Sequence, residues 1–327
     1  MPLDEQPMKE HLGSILHPST LEPLFGKYFG PVQIDNSKEY SAGLFSKFRS
    51  VDSVLVDILG EKIFLELRIY ATRFKSGANL LLWNRETGNL QEISLLESGT
   101  SSFIHQGSFK NGYWSFTKSD KRFNFRLDDN IRQGYTHSAI WEKNLNFQLD
   151  ALAYTGDKNK GSWFTQISPS GKDWVFKNHS PDLRVEGQLS WNDLSVSLEN
   201  GLLSYTVGKG YSPEAFPLEN RIYLNVSAKK KVQLYLEDEI IAWTIGEVSD
   251  LGNAVWSGNG KRKIVQDQNS KLELELEPEI EASFSRPKNL GSEKFIKTLY
   301  TVSGWIKTKS KKEKVSNGIA ILEKIQN

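Results

Sequence analysis

Leucine and glutamate alternate without interruption from Leu272 to Glu277. A two-residue period of this kind sends every leucine to one side of an extended chain and every glutamate to the other. The same period returns at Phe123/Phe125/Leu127, Leu145/Phe147/Leu149, Leu194/Val196/Leu198, Ile222/Leu224/Val226 and Val232/Leu234/Leu236. Half-buried antiparallel strands are therefore predicted almost throughout, and the fold class is all-β. Turn residues separate the runs: Gly60-Glu61 between Val51–Leu59 and Lys62–Tyr70, Arg85 to Gly88 between 78–84 and 90–95, and Ser119-Asp120 between 113–118 and 122–127. This is the rhythm of a meander of hairpins.

Residues 1–43 hold Pro18, Pro23, Gly26, Gly30, Pro31 and Gly43 and read as an irregular lead-in packing on the β structure. The polar segment 178–182, with Pro181, is the predicted boundary, giving a first β domain over 44–182 and a second over 183–327. Gly208 to Leu218 reads as the longest irregular stretch of the second half, with Gly208-Lys209-Gly210 a flexible loop. Only the windows Asp4–Ile15 and Ser292–Leu299 are open to helix.

Composition adds bounds. At 327 residues the chain is long for one β domain, and 17 Phe, 11 Tyr and 9 Trp can fill two cores. A net charge of +1 gives no long-range field for nucleic acid or an anionic membrane. The absence of Cys excludes disulfides, thiolate nucleophiles and Cys-ligated metals. Residues 1–30 hold no apolar signal region, and no run approaches the roughly 18 apolar residues of a spanning helix, so a cytoplasmic protein without a membrane span is expected.

Chemistry is sparse in the sequence. No glycine-rich phosphate loop precedes a helix and no Gly-x-Ser-x-Gly elbow occurs. The five histidines, at 11, 17, 105, 137 and 179, are too scattered for a metal motif, although His105 and His137 could meet in space. No metal and no cofactor is expected. The densest signal is aromatic: Tyr113-Trp114-Ser115-Phe116, Tyr135-Thr136-His137 with Trp141, Trp163-Phe164 and Trp174-Val175-Phe176. Such clusters either pack a core or line a lipophilic cavity, as barrels with interior space do.

Several segments, in order, resemble a bacterial family of unknown function related to the tandem-lipocalin group that includes carotenoid 1,2-hydratase (hydroxyneurosporene synthase). They are Ile63 to Leu67 running into Leu81-Leu82-Trp83 and Glu86-Thr87-Gly88, Phe176-Lys177 with Val185-Glu186-Gly187, and Leu224-Asn225-Val226. Leu272 to Pro278, Val302-Ser303-Gly304-Trp305 and Asn317 to Glu323 are the most similar, and the resemblance runs from about Phe45 onward. It implies two consecutive lipocalin-like antiparallel barrels or strongly curved sheets packed together, with relatives that hydrate or cyclise hydrophobic molecules. The chain departs from that pattern at Leu203 to Gly208 and Phe216 to Asn220, where an Asp and a Trp-rich segment flanking a glycine are expected. Lys177 and Glu186 match the pattern without an assigned role.

The leading expectation is a protein that binds a hydrophobic small molecule, of terpenoid, fatty acyl or polyketide type, with Trp114, Tyr135, Trp141 and Trp163 as ligand-binding residues. Its enzymatic form is a cofactor-free hydratase or isomerase, with His105, Tyr135, His137 and Glu186 as candidate proton donors or acceptors. Two other classes stay open: a carbohydrate-binding or carbohydrate-cleaving protein, in which Trp114, Trp141 and Trp163 are exposed stacking platforms, and a scaffold with filled barrels. Turnover and oligomeric state are not legible.

Overall fold

The computed structural model describes residues 9–10, 13–30, 32, 34–40, 46–107, 112–119, 121–126, 134–141, 147–154, 164–170, 173–180, 183–191, 194–199, 201–212, 218–227, 230–236, 239–244, 247–259, 261–288, 291–308 and 311–326. Within it the chain forms two compact units, Met1–Phe216 with Arg286–Ser292, and Pro217–Ser285 with Glu293–Asn327.

The first unit contains β1 (Lys9–Glu10), β2 (Gly26–Phe29), β3 (Ser50–Leu59), β4 (Ile63–Thr72), β5 (Lys75–Asn84), β6 (Leu90–Ser98), β7 (Phe103–Gly107) and β8 (Gly112–Lys118). It continues with β9 (Lys121–Arg126), β10 (Gly134–Trp141), β11 (Phe147–Tyr154), β12 (Phe164–Ser170), β13 (Asp173–His179), β14 (Leu183–Trp191), β15 (Leu194–Ser197) and β16 (Gly201–Tyr211). These form one sheet in which β16 is the junction. One edge of β16 pairs with β3 along its length; the other pairs with β14 at its start and with β13 at its end. Hairpins extend the sheet outward through β4, β5 and β6 on one side and through β11, β10, β9, β8 and β7 on the other. The sheet curls until β8 lies against β4 and β5. Its concave face holds one apolar core built from alternate positions: Val54, Val56 and Ile58 of β3, Leu65, Leu67 and Ile69 of β4, Trp114 and Phe116 of β8, and Leu203, Tyr205 and Val207 of β16.

The second unit is a closed barrel of β17 (Asn220–Ser227), β18 (Lys230–Leu236), β19 (Glu239–Thr244), β20 (Glu247–Ser257), β21 (Lys263–Asp267), β22 (Leu272–Pro287), β23 (Ser292–Thr308) and β24 (Lys311–Ile325). Each strand pairs with its chain neighbour and β24 returns to β17, so no edge is left. Leu272, Leu274 and Leu276 are buried in its core, and Glu277 is exposed. Gly304 marks a bulge in β23: its φ is +139° and a Cβ there would collide with the Glu273 carbonyl.

Three expectations about segments change. The division at 182/183 falls inside the first unit, because β14 and β16 pair back onto β11, β13 and β3; alternation shows that strands exist but not which ones pair. Residues 1–43 are part of that unit and supply β1 and β2 to its sheet. Ser292–Leu299 is strand, and so is Gly208 to Tyr211. Gly210 is required there by crowding rather than by flexibility: its φ is +140° and a Cβ would run into the Trp174 carbonyl.

Candidate functional site

Two cross-strand pairs meet inside the first unit. Asp52 of β3 is the register partner of Lys209 of β16, and His105 of β7 is the partner of Trp114 of β8. Directly opposed residues share a face. Asp52 is in phase with Val54 and Val56, Lys209 with Tyr205 and Val207, and Trp114 with Phe116, so both pairs lie on the concave, core side. The curl of the sheet brings them together.

Asp52 is the hub. Its Oδ2 is 2.6 Å from His105 Nδ1, and its Oδ1 accepts from Trp114 Nε1 at 3.4 Å. Indole N–H can only donate and an ionised carboxylate can only accept, so Nδ1 is assigned the imidazole hydrogen and Nε2 the free lone pair of the neutral ring. The His105 ring stacks on Trp114, with centroids 4.4 Å apart and planes at 25°. Its side chain is 7% exposed, and Nε2 is buried with no hydrogen-bond partner among the described residues. An orphaned polar atom of this kind is costly unless a ligand or water completes it.

Lys209 connects Asp52 to a second carboxylate. Its Nζ lies 2.5 Å from Asp35 Oδ2 and 3.9 Å from Asp52 Oδ2. Asp35 arrives from the lead-in, which Asn36 clamps by accepting from Leu16 N at 2.9 Å and donating to Leu16 O at 3.0 Å. Burial works to raise the Asp35 carboxyl, but the Lys209 charge and hydrogen bonds from Lys209 and Ser37 outweigh it and hold the group below the usual carboxylate range. Next to this cluster Tyr40, Trp174 and Tyr211 form an aromatic trio with centroids 5.4 to 5.7 Å apart. Burial pushes the Tyr211 hydroxyl above its ordinary value, and Tyr40, Asp173 and Asp35 push in the same direction.

A cavity of about 270 Å³ adjoins the cluster, with Asp52, Lys209 and Tyr211 among its polar lining and Val51, Ala71 and Phe103 among its apolar lining. That volume sits just under the roughly 300–1,000 Å³ of sites for drug-sized ligands.

The expected site residues are only partly assembled. His105 and Trp114 are brought into contact. Trp114 is fully buried, so it is no exposed sugar platform. Glu186 is half-buried and out of phase with Val185 and Leu189, which join the core, so it faces away from the cluster. Trp163 lies outside the described residues. Tyr135, His137 and Trp141 are placed by backbone register alone, their side chains lying outside the described set. His137 pairs with Phe125, which pairs with Trp114, so it is three strands from His105, about 14 Å along the sheet at ~4.8 Å per strand.

No protein-family model matches the chain, and no curated protein matches it significantly. Solved structures do. CghA aligns at a TM-score of 0.52 with 8% identity, covering 86% of this chain and 90% of its own. A protein provisionally assigned as AttH from Nitrosomonas europaea aligns at 0.50 with 10% identity, covering 88% and 96%. Kievitone hydratase from Nectria haematococca aligns at 0.49 with 13% identity, covering 83% and 88%. The chain shares with CghA and the Nitrosomonas protein an all-β, lipocalin-like fold. At such identities the likeness is one of fold, and the chemistry has to come from the residues present.

A lipocalin-like sheet offers an interior, and the first unit has placed ionisable groups in it. Asp35, Asp52 and Lys209 were missed by sequence reasoning. For Asp52 a signal existed: a carboxylate in phase with Val54, Val56 and Ile58 is a charge on the buried face of a strand. Lys209 was hidden by its flanking glycines, and Asp35 by lying outside any periodic segment.

Proposed function

We propose that the first unit binds a small, mostly apolar molecule bearing a carbonyl oxygen and moves a proton on it without a cofactor, as a hydratase or isomerase does. The observation behind this reading is His105, whose Nδ1 is engaged by Asp52 while its buried Nε2 is unpartnered among the described residues. A carboxylate that fixes the tautomer and orientation of an imidazole leaves the opposite nitrogen ready to exchange protons.

For hydration of an α,β-unsaturated ketone, Nε2 takes a proton from water as the water oxygen bonds to the β-carbon. The C=C electron pair moves toward the carbonyl oxygen, and the resulting enolate is stabilised by the Lys209 ammonium, which has three donors and engages two carboxylates. The imidazolium then returns its proton to the α-carbon, so that the net change is addition of water. Run without the water step, the same proton transfers shift a double bond. Trp114 supports the site by packing on the imidazole and binding Asp52.

The test is incubation with benzylideneacetone and its hydrate in D₂O, following deuterium at the α-carbon and interconversion of the two compounds. Wild-type protein is expected to exchange, and His105→Gln to slow exchange by about 10²–10⁴-fold while the melting temperature is retained. Equal exchange by wild type and His105→Gln would remove the assignment. A sugar-binding reading has less support, since its described platform Trp114 is inside the core.

A further inference from the structure

We infer that the open end of the second barrel is a ligand site of its own, taking a flat aromatic organic anion whose rings lie on Trp256 and whose acid group meets Lys263 and Lys324. This does not rest on the proton-transfer reading of the first unit.

Strand phase places the site. The barrel core includes Ile222, Val265, Leu276, Tyr300 and Leu322. A cavity of about 380 Å³ is lined by Tyr300 and Leu322 and by the next inward positions along the strands: Asn220 two before Ile222, Lys263 two before Val265, Pro278 two after Leu276 and Lys324 two after Leu322. Register agrees, since Trp256 is directly opposite Val265 and Lys263 directly opposite Leu276. The apolar core thus stops short of one end of the barrel, and the side chains beyond it are a Trp, a Pro, an Asn and lysines. A closed barrel of eight strands has room for one small ligand, and the volume lies within the usual range for ligand sites.

Charge and surface chemistry select the ligand class. Lys261, Lys263 and Lys324 line the cavity with Glu281 and Glu323. Glu323 is already engaged by Lys297 at 3.1 Å, with both side chains fully buried. Neither Lys261 nor Lys324 has a side-chain partner among the described residues, and Lys263 Nζ sits 5.7 Å over the Trp256 ring. The lining is therefore net cationic, with ammonium groups waiting at its rim. Trp256 is 39% exposed, an apolar ring left wet beside those cations. Burial raises the Tyr300 hydroxyl above its ordinary value; a hydrogen bond from Thr298 opposes this and the Glu281 charge adds to it, so the phenol stays a neutral donor at the cavity floor. An aromatic ring answers the indole, an acid group answers the lysines, and neither half alone uses the site fully.

The experiment uses the whole chain and a matched pair of probes, 8-anilinonaphthalene-1-sulfonate and the neutral N-phenyl-1-naphthylamine, titrated by their own fluorescence. The sulfonate is expected to bind at least tenfold more tightly than the amine. Lys263→Gln/Lys324→Gln should bring the two to similar affinity, Trp256→Ala should weaken both about tenfold or more, and Trp256→Phe should retain most of the binding. Calorimetric melts of each variant control for folding, and Trp256→Phe keeps the test open where the alanine variant melts early. Equal affinity of both probes for wild type, or sulfonate binding unchanged in the double lysine variant, would overturn the proposal; the second result would place the probe elsewhere on the chain.

Discussion

The two units build lipocalin-like cavities in opposite ways. In the second, eight strands pair in chain order and close, so the sheet has no free edge and the interior holds an apolar core, with charged groups lining a cavity beyond it. In the first, the sheet branches at β16 and curls instead, and a lead-in segment crosses near β16 to bring Asp35 to Lys209. Two carboxylates, an ammonium and an imidazole then sit against a core that is mainly aromatic and aliphatic among the described residues. Such a cluster is costly to bury and stays only where its members satisfy one another. The closed barrel carries its lysines at one end, beyond the apolar core; the curled sheet carries its charged cluster against the core itself.

The largest expected effect lies in the closed barrel. Leu274 is fully buried in its core, and Leu274→Ala should destabilise that unit by about 2–5 kcal/mol through the cavity it leaves. A midpoint shift below about 1 kcal/mol in urea unfolding would mean the core is loosely packed. In the curled sheet the corresponding break is electrostatic: Asp52→Ala strips His105 Nδ1, Trp114 Nε1 and Lys209 of an acceptor and should cost about 1–3 kcal/mol. Asp52→Asn keeps the shape and removes the charge, so a loss in that variant close to that of Asp52→Ala identifies charge as the cause.

The acid limb of stability sharpens the same contrast. Asp35 has its carboxyl held below the ordinary range when folded, so the unfolded chain takes up a proton near pH 4 while the folded chain still resists. Its contribution is complete above about pH 4 and is lost as the pH falls through the lower folded value. Asp35→Asn should lower stability at neutral pH and flatten the loss below about pH 4. Tyr211 and Tyr40 act at the other end: burial raises both hydroxyls, for Tyr40 with help from Asp173, so their contribution is complete below about pH 10 and is lost above it. Tyr211→Phe should soften the alkaline limb, as read by melting temperature against pH.

Strand content and faces were legible in the sequence because period two is a local property: Leu272 to Glu277 declares its own orientation. Pairing was not, because β16 joins β3 across some 150 residues of chain, and nothing in Gly208-Lys209-Gly210 announces that Gly210 admits a neighbouring backbone. The same non-locality hid most of the site. His105 and Trp114 stood out by residue type, yet the partner that gives them chemical meaning, Asp52, lies in another hairpin. Trp256 was passed over because it sits outside every aromatic cluster, and its exposure is a property of the barrel end rather than of its neighbours in sequence.

The smallest effect comes from an ion pair that matches the internal one in length. Arg262 Nη2 to Glu275 Oε2 is 2.5 Å, the separation also found for Lys209 and Asp35. Distance alone would make the two equivalent. Exposure separates them: the Arg262 and Glu275 side chains are 55% and 46% exposed, against 12% and 13% for Lys209 and Asp35. At the surface, water screens the attraction and two long side chains lose rotamer freedom, so Glu275→Ala should cost about 0.5 kcal/mol or less and the difference should vanish in ~1 M salt. The loss in Asp35→Asn should persist in the same salt, because screening ions do not reach a pair enclosed by the sheet and the lead-in. Equal salt sensitivity of the two variants in urea melts would show that the internal cluster is as solvated as the surface pair, and the contrast between the curled sheet and the closed barrel would lose its electrostatic basis.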